Sequence, residues 1–517
     1  MILEKEQLQS ALNCLSTHVD TPTAQLRSDS RTVQAGDVFC AFPIPNSKGD
    51  GRRHIEDAIT RGAKVVLFDP ENFVWDEALQ ITHLGVPNLI QHLGPIAKAW
   101  IQSQQAQESE HDLFGIAVTG TNGKTSCTQW IAQSLSMLET KTAVVGTLGI
   151  GTYVKGRLSD LLETGFTTPD AISLQYQLQQ VKQQGATAVA IEASSIGLHQ
   201  GRMNGMAVDV AVLTNLTRDH LDYHGDMETY AAAKQILFQW PNLKAAVVNL
   251  DDAFGLQLAQ YLVQHYAHLR VYGYTVTEQT CAGVEVVSAT HLKTHHNGTH
   301  FHLHYQSVQH QVKSKLLGQF NVSNLLAVLA VLFQRGIDVS KAIHVAEQLS
   351  SVPGRMQQVE YGSHILVVVD YAHTPDALEK TITTLKQVSH DRHGQLWCVF
   401  GCGGDRDPGK RPQMGAVAQQ ADHVVVTSDN PRSEDPDFII QGILAGMQGT
   451  PHAIADRASA ILYAIKHAQA NDVVLIAGKG HENYQEIKGK KWPFSDYEHA
   501  QIALSSLVTT QAKRGSV

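Results

Sequence analysis

The sequence predicts an α/β protein built on parallel sheets, and three observations support this fold class. Five continuous apolar runs between residues 113 and 250 alternate with longer helical stretches, a pattern typical of strands that are buried on both faces of a parallel sheet. The same rhythm returns after residue 352 with four further runs. Each of those four leads into a polar or glycine-rich cluster, and ligands of open α/β sheets bind beyond the carboxyl ends of the strands.

The elements follow in an order that separates two α/β regions. The predicted strands are residues 63–68, 113–119, 142–146, 186–192, 208–214, 245–250, 365–369, 396–400, 423–427 and 473–476. Residues 103–110 are polar without an apolar period and predict a linker. Residues 284–317 include an alternating stretch and predict a small antiparallel insert. The length of 517 residues suggests about three or four domains.

Composition excludes several classes of protein. With 43% hydrophobic and 17% charged residues, the chain is not disordered throughout. No run approaches the roughly 18 apolar residues of a membrane span, and the charged start MILEKEQLQS predicts no secretory signal. A formal net charge of −9 argues against nucleic acid as a partner. Six scattered cysteines favour a reducing cytoplasm over a disulfide framework.

The strongest motif is Val-Thr-Gly-Thr-Asn-Gly-Lys-Thr at residues 118–125, between a strand and a helix predicted at residues 127–138. The backbone of Gly120, Thr121, Asn122 and Gly123 is expected to cradle phosphate oxygens at the helix N-terminus. Lys124 can reach the β- and γ-phosphates, and the Thr125 hydroxyl can bind Mg²⁺. The usual first glycine is replaced by Val118, so this is a shortened variant of a phosphate-binding loop.

Three further residues have both a functional and a structural interpretation. Glu192 ends a predicted strand, where a Mg²⁺ ligand is wanted, although it could be a helix N-terminal carboxylate. His220 lies in a polar cluster at residues 214–225, and spacing gives a structural and a chemical role equal weight. Lys234 lies in a good helix, and spacing alone favours a solvated lysine.

Several motifs together resemble the Mur ligase family of peptidoglycan synthesis, and within it the MurE type that adds the third residue of the muramyl peptide. They are residues 119–125, 192–198 (Glu-Ala-Ser-Ser-Ile-Gly-Leu), 216–227, 230–234 (Tyr-Ala-Ala-Ala-Lys), 318–324 (Gly-Gln-Phe-Asn-Val-Ser-Asn), 354–355, 370–376 and 429–432 (Asp-Asn-Pro-Arg). The resemblance implies three domains: residues 1–108 for the uridine nucleotide, a central P-loop ATPase domain at 109–350 with the antiparallel insert, and a Rossmann-like domain at 351–517 for the amino acid.

The resemblance also implies residue roles. The implied ATP contacts are Asn324, Arg355 and Asp370, in addition to the phosphate loop. The implied contacts of the UDP-muramyl peptide are Ser30, Thr167, Thr168, Ser194, Gln200 and Arg202. Lys234 resembles the carbamylated lysine (N6-carboxylysine) of the family, which replaces the solvated interpretation. Lys124, His220 and Lys234 are then the expected catalytic residues, and Thr125, Glu192, His220 and Lys234 the expected Mg²⁺ ligands.

The amino acid added is expected to be meso-diaminopimelate, with L-lysine as the alternative. Only diaminopimelate carries a distal carboxylate, and an arginine fork matches a carboxylate with paired charge-assisted hydrogen bonds. Arg432 supplies such a fork, unless it is a turn arginine paired with Asp435 or Asp437. By resemblance, the other contacts are Arg406, Asp429, Asn430, Pro431, Gly478 and Glu482.

The expected activity is an ATP-dependent amide ligation on UDP-N-acetylmuramoyl-L-alanyl-D-glutamate through an acyl phosphate, with Mg²⁺ as cofactor and ATP as co-substrate. The alternatives are the L-lysine-adding ligase, a P-loop switch module, and a kinase that stops at phosphate transfer. The expected partners are small molecules, with no nucleic acid and no membrane span, and the chain is expected to act as a cytoplasmic monomer.

Overall fold

The computed structural model describes residues 5–19, 23–104, 112–159, 161–295, 298–359 and 364–514. The chain divides into two compact units. Unit one extends to Gly273 and adds Thr280–Glu285 and Ala330–Gly336, while unit two holds Tyr274–Gln279, Val286–Leu329 and the chain from Ile337 onward. The three domain boundaries expected from the sequence stay a prediction.

Unit one begins with a four-stranded parallel sheet in the order β1-β2-β3-β4. Alternate residues of β2 and β3 pack on opposite faces: Val38 and Val65 lie in the core beneath α1 and α3, and Phe39 and Val66 lie in the core beneath α2. Short 3-10 helices occupy Ser30–Thr32 and Gly51–His54. The elements are α1 (Lys5–His18), β1 (Leu26–Arg27), β2 (Val38–Ala41), α2 (Ile55–Thr60), β3 (Val65–Phe68), β4 (Thr82–Gly85) and α3 (Leu89–Ser103).

The second sheet of unit one runs in the order β12-β11-β10-β5-β9-β6-β7-β8. Its elements are β5 (Phe114–Thr119), α4 (Lys124–Met137), β6 (Thr142–Gly146), β7 (Gly149–Val154), β8 (Arg157–Leu158), α5 (Ala171–Gln183), β9 (Ala188–Glu192), α6 (Ser195–His199), β10 (Val210–Leu213), α7 (Leu221–His224), α8 (Met227–Gln235), a 3-10 helix (Ile236–Gln239), β11 (Ala245–Asn249), α9 (Ala253–His265) and β12 (Arg270–Thr275). The five predicted runs are confirmed, and β11, β10, β5, β9 and β6 pair in parallel. The antiparallel edge β6-β7-β8 was not predicted.

Unit two contains the predicted antiparallel insert, which is confirmed as the ladder β13-β14-β15. Its strands are β13 (Glu285–His295), β14 (Gly298–Tyr305) and β15 (Val308–Ser314). Along β14, residues 299, 301, 303 and 305 are buried while the histidines between them are more exposed, as alternation requires of a half-buried strand.

The remaining sheet of unit two has the order β16-β17-β21-β18-β19-β20, parallel except for β16. Two helices precede this sheet: α10 (Gln319–Gln334), whose end from Ala330 onward belongs to unit one, and α11 (Val339–Ala346). The elements of the sheet region are β16 (Gln357–Val359), β17 (Leu366–Asp370), α12 (Pro375–Asp391), β18 (Leu396–Phe400), α13 (Lys410–Ala418), β19 (His423–Val426), α14 (Pro436–Leu444), β20 (His452–Ala453), α15 (Arg457–His467), β21 (Val473–Ala477), the hairpin β22 (Tyr484–Ile487) and β23 (Lys490–Pro493), and α16 (Asp496–Arg514). All four strands predicted here are confirmed. Helices cover both faces, so β17, β21, β18 and β19 are apolar on both sides. Within the described ranges, no helix is long and apolar enough to cross a membrane.

Candidate active site

The phosphate loop of unit one has the predicted position, between the end of β5 at Thr119 and the start of α4 at Lys124. Gly120 and Gly123 have φ of 142° and 90°, values that L side chains rarely adopt. The side chain of Asn215 braces the loop, since its Oδ1 accepts from Asn122 N at 3.0 Å and its Nδ2 donates to Asn122 O at 3.0 Å. The loop therefore presents its backbone at a helix N-terminus, where anions bind favourably.

Two lysines reach the same carbonyl group of this loop. Lys124 Nζ donates to Gly120 O and Thr121 O, both at 2.9 Å. Lys234 Nζ also donates to Gly120 O at 2.9 Å, and its side chain is almost completely buried. Burial, and after it the charge of Lys124, holds the pKa of Lys234 well below its ordinary value. The structure thus brings Lys234 to the phosphate loop, which its helical spacing alone did not predict.

Tyr230, which begins the motif 230–234 but has no role predicted from the sequence, is central to this arrangement. Its ring is fully buried and lies under Lys234 Nζ at 4.4 Å. Its hydroxyl lies 3.1 Å from Thr121 Oγ1. One turn of α8 separates Tyr230 from Lys234, so the two side chains share a face. Tyr230 therefore fixes the lysine against the loop.

Glu192 ends β9 and faces the loop, as predicted. It is buried, and Oε2 accepts a hydrogen bond from Thr125 Oγ1 at 3.0 Å. Thr147, which the sequence did not single out, donates from its backbone N to Oε1 at 2.8 Å and from Oγ1 to Oε2 at 3.2 Å. The carboxylate and hydroxyl oxygens of Glu192 and Thr125 form the hard donor set that Mg²⁺ prefers.

The predicted muramyl-peptide contacts form one hydrogen-bonded network. Thr168 Oγ1 donates to the backbone carbonyl of Glu192 at 2.7 Å and lies 2.9 Å from Ser194 Oγ. Arg202 donates to Thr168 O at 3.0 Å and twice to Gln200 Oε1, at 2.9 and 2.7 Å. Thr167 Oγ1 lies 3.1 Å from the hydroxyl of Thr147. Five of the six predicted residues therefore converge beside Glu192.

His220 and Ser30 are less tightly connected to this network. His220 has φ of 53°, its side chain is 43% exposed, and its ring lies 6.1 Å from that of Tyr230. Ser30 is buried in the N-terminal sheet region. Over the described parts of the chain, no group of three or more His, Cys, Asp or Glu side chains is arranged to hold a metal ion.

In unit two, Arg355 and Asp370 are neighbours. Asp370 ends β17, and its carboxylate accepts from Met356 N at 2.7 Å and from Ala372 N at 2.9 Å. Burial raises the pKa of Asp370. The guanidinium of Arg355 lies 4.4 Å above the ring of Tyr371. Asn324 is buried on α10.

The predicted diaminopimelate residues lie on loops at one edge of the sheet in unit two. Arg432 Nη1 donates to Gly404 O at 2.7 Å, and its Nε lies 3.5 Å from Glu486 Oε2. Its partner is thus Glu486, and the alternative pairing with Asp435 or Asp437 is wrong. A Cβ added to Gly403 would lie 2.9 Å from Arg432 Nη1 and 3.8 Å from Arg406 Cγ, so the two predicted arginines flank one glycine. Pro431 precedes Arg432 in this loop, and its carbonyl lies against Gly404.

Glu482 lies on the second loop and is joined to the first. Its Oε2 accepts from Asn430 Nδ2 at 2.8 Å and from Lys479 Nζ at 2.9 Å. Lys479 is fully buried and was not predicted. Gly478 has φ of 115°, and a Cβ there would lie 2.6 Å from Asp429 Oδ2. Burial raises the pKa of Asp429.

Two family models match the chain. The Mur ligase middle domain matches residues 118–332, and the Mur ligase glutamate ligase domain matches residues 354–480. The chain is 51% identical to the UDP-N-acetylmuramoyl-L-alanyl-D-glutamate–2,6-diaminopimelate ligase of Janthinobacterium sp. (strain Marseille), with 98% of this chain and 99% of that protein covered. It is 48% identical to the ligase of the same name from Ralstonia nicotianae, with 97% and 96% covered.

Solved structures agree with these matches. A structure of UDP-N-acetylmuramoyl-L-alanyl-D-glutamate–2,6-diaminopimelate ligase has a TM-score of 0.67 and 39% identity, with 93% of this chain and 95% of that chain covered. A MurF ligase from Thermotoga maritima in complex with ADP has a TM-score of 0.60 at 17% identity, with 95% and 99% covered, and it shows the fold alone. Taken with the near full-length relatives, these matches show that the chain belongs to the Mur ligase family.

Proposed function

We propose that this chain joins meso-diaminopimelate to UDP-N-acetylmuramoyl-L-alanyl-D-glutamate in an ATP-dependent ligation. The main support for this proposal is that the chain is 51% identical, over 98% of its length, to a ligase of that name. The phosphate loop and the loops that carry Arg432 and Glu482 supply chemistry suited to the triphosphate and the amine substrate.

The reaction has two chemical steps. An oxygen of the glutamyl carboxylate attacks the γ-phosphorus of ATP, and ADP leaves as the acyl phosphate forms. The amine nitrogen then attacks the acyl carbon, and phosphate leaves as the amide bond forms and the nitrogen loses its proton. Lys124, which lies against the loop carbonyls, is positioned to neutralise the charge that develops on the transferred group.

Mg²⁺ is proposed to be held by Thr125, Glu192, His220 and modified Lys234. The hydroxyl of Thr125 and the carboxylate of Glu192 fit a hard cation, and together they lie directly beside the phosphate loop. When bound, Mg²⁺ would neutralise phosphate charge.

Lys234 is proposed to be carbamylated. Carbamylation requires a neutral amine, and burial beside Lys124 favours that form. A carbamate on Lys234 would present oxygens and a negative charge close to the loop. After equilibration with ¹³C-bicarbonate, the carbonyl carbon of a carbamate is expected in the NMR spectrum of the unmodified protein and of the control Lys244→Ala, and not in that of Lys234→Ala. A spectrum without this signal in the unmodified protein would contradict the assignment.

Diaminopimelate selection is proposed to depend on Arg432 and Arg406 for the distal carboxylate and on Glu482 for the distal ammonium. The remaining proposed contacts are Asp429, Asn430, Pro431 and Gly478. Arg432→Ala is expected to lose diaminopimelate use far more than ATP affinity, because a planar fork that pairs with a carboxylate has no substitute.

The ligase is distinguished from a switch or a kinase by phosphate release. Sustained release is expected only when ATP, the nucleotide-linked dipeptide and meso-diaminopimelate are all present. Sustained phosphate release with ATP alone, or phosphate release that the amine does not stimulate, would contradict the ligase.

The small-molecule substrates and the six free cysteines are consistent with the proposed cytoplasmic location.

A further inference from the structure

Arg457, the first residue of α15, is a buried cation. It lies behind the two candidate amine-binding loops, which are the loop after β19 that carries Arg432 and the loop after β21 that carries Glu482. Its side chain has no solvent exposure. Nη1 donates to Ser428 O at 3.2 Å, and Nη2 donates to Ala477 O at 2.9 Å. Those carbonyl groups belong to the residues immediately before Asp429 and Gly478. One guanidinium therefore holds the starting points of the two loops.

The strands that lead into these loops are not neighbours. The sheet order places β18 between β19 and β21, so no backbone ladder joins the end of β19 to the end of β21. Further along, the loops are joined by Asn430, Lys479 and Glu482. Arg457 links the two loops where they begin, since its hydrogen bonds to Ser428 O and Ala477 O reach across β18.

Asp496 fixes the orientation of this guanidinium. Its two carboxylate oxygens accept from Arg457 Nε and Nη2, each at 2.7 Å, and the Asp496 side chain is also fully buried. A buried ion pair is weak evidence for stability, because removing two charges from water is costly. A fork held on one side by a carboxylate and directed on the other at two carbonyl groups is well suited to setting the spacing between two loops.

We propose that Arg457, anchored by Asp496, is a positioning residue for the amine substrate. It sets the distance between the loop carrying Arg432 and the loop carrying Glu482, and hence between the groups that receive the distal carboxylate and the distal ammonium. This inference rests on the proposed diaminopimelate site and adds residues that do not touch the substrate.

The test uses Arg457→Lys, which keeps the charge but cannot reach both carbonyls and Asp496 with fixed geometry. Arg392→Lys is the matched control, because Arg392 donates to Asn471 O at 3.0 Å and His364 O at 2.6 Å, the carbonyl groups near the opposite ends of β21 and β17. KM is measured for meso-diaminopimelate, ATP and the nucleotide-linked dipeptide. Hydroxamate formation with hydroxylamine, a small amine that needs no distal contacts, reports the acyl phosphate step separately.

For Arg457→Lys, KM for meso-diaminopimelate is expected to rise by about 10-fold or more, because a displacement of about 1 Å, even one that arises far from the reacting atoms, can cost about 100-fold. KM for ATP, KM for the nucleotide-linked dipeptide and the rate of hydroxamate formation should change by less than about 2-fold, because Arg457 acts only on the two amine-binding loops. The same quantities, and KM for meso-diaminopimelate, should change by less than about 2-fold in Arg392→Lys. An unchanged KM for meso-diaminopimelate, or an equal fall in hydroxamate formation, would overturn the assignment.

Asp496→Asn provides a second variant if Arg457→Lys does not fold. It keeps the guanidinium and its carbonyl acceptors but weakens the anchor, so a smaller rise of KM for meso-diaminopimelate is expected. Failure of both variants to fold would show a purely structural pair and overturn the positioning role. If the unmodified chain forms the hydroxamate but does not use meso-diaminopimelate, the proposed substrate fails, and the assignment fails with it.

Discussion

Lys124 and Lys234 donate to the same carbonyl oxygen of Gly120, although they come from different elements of unit one. Two ammonium groups this close repel each other, and the buried one bears the larger desolvation cost. The neutral form of Lys234 is therefore favoured, while Lys124 keeps the position from which it can meet a phosphate. This arrangement supports the two proposed roles, in which Lys124 meets a phosphate of ATP and the neutral amine of Lys234 is modified.

Lys124→Ala is expected to lower ATP-dependent turnover by about 100-fold or more, because a charge that stabilises the transferred phosphoryl group is removed. Lys244→Ala, which removes an exposed lysine paired with Asp209, should retain activity. Turnover is measured by phosphate release, and circular dichroism checks that both variants are folded. Full turnover by Lys124→Ala would rule out the assignment of the phosphate loop.

His224 gives the stability of the chain a pH dependence of known sign. Burial, and after it the charge of His199, lowers the pKa of His224 from 6.5 to about 4. Protonation therefore favours the unfolded chain, so the stability contributed by neutral His224 is complete above pH 6.5 and is lost as the pH falls toward about 4.

The thermal midpoint of the unmodified protein is expected to fall between about pH 7 and about pH 5, and His224→Gln should show a smaller fall, since the variant has no imidazole to protonate. The comparison is of the pH-dependent change, because the variant also loses the contact between His224 Nε2 and Ser195 Oγ. An identical change in both proteins would refute the role of His224.

At the scale of the elements, the strands were predictable and many of their side-chain partners were not. A continuous apolar run such as residues 396–400 predicts a buried strand, because helices cover both faces of such a sheet. Tyr230, by contrast, lies 109 residues from its partner Thr121, and Arg457 meets carbonyl groups at the ends of two strands. Such contacts depend on which strands the crossovers make neighbours, and hydrophobic periodicity does not encode that order. A site role for Lys234 was predicted only through the resemblance of the motif 230–234, and it stays a prediction.

Substitution of Gly478, which directly follows β21, tests whether the two amine-binding loops must approach each other closely. Gly478→Ala is expected to raise KM for meso-diaminopimelate by about 10-fold or more, because the methyl group would displace Asp429 and the loop it begins. Gly449→Ala is the matched control: it has φ of 76° but nothing within 4 Å of an added Cβ. It should cost about 1 kcal/mol of stability, because an alanine is strained in the left-handed conformation, without changing KM. Equal KM values for meso-diaminopimelate in Gly478→Ala and Gly449→Ala would show that amine binding does not need the close approach of the two loops.

At the scale of the whole molecule, each unit carries its own set of candidate residues. Unit one holds the phosphate loop, Glu192 and the network around Thr168, and unit two holds Arg355, Asp370 and the two candidate amine-binding loops. A nucleotide-dependent switch has no need for a second ligand-binding unit, whereas a ligase must bind an amine as well as ATP and a carboxylate. The division of the chain therefore favours the proposed ligation.

The most direct test is the amine selectivity of the unmodified protein, measured as product mass with ATP, UDP-N-acetylmuramoyl-L-alanyl-D-glutamate and either meso-diaminopimelate or L-lysine. A site built to pair with a distal carboxylate leaves its own polar groups unpaired when that carboxylate is absent, and such sites discriminate by about 10⁴-fold. Product is expected with meso-diaminopimelate, and kcat/KM for L-lysine is expected to be lower by about that factor. Equal kcat/KM for the two amines would contradict this expectation.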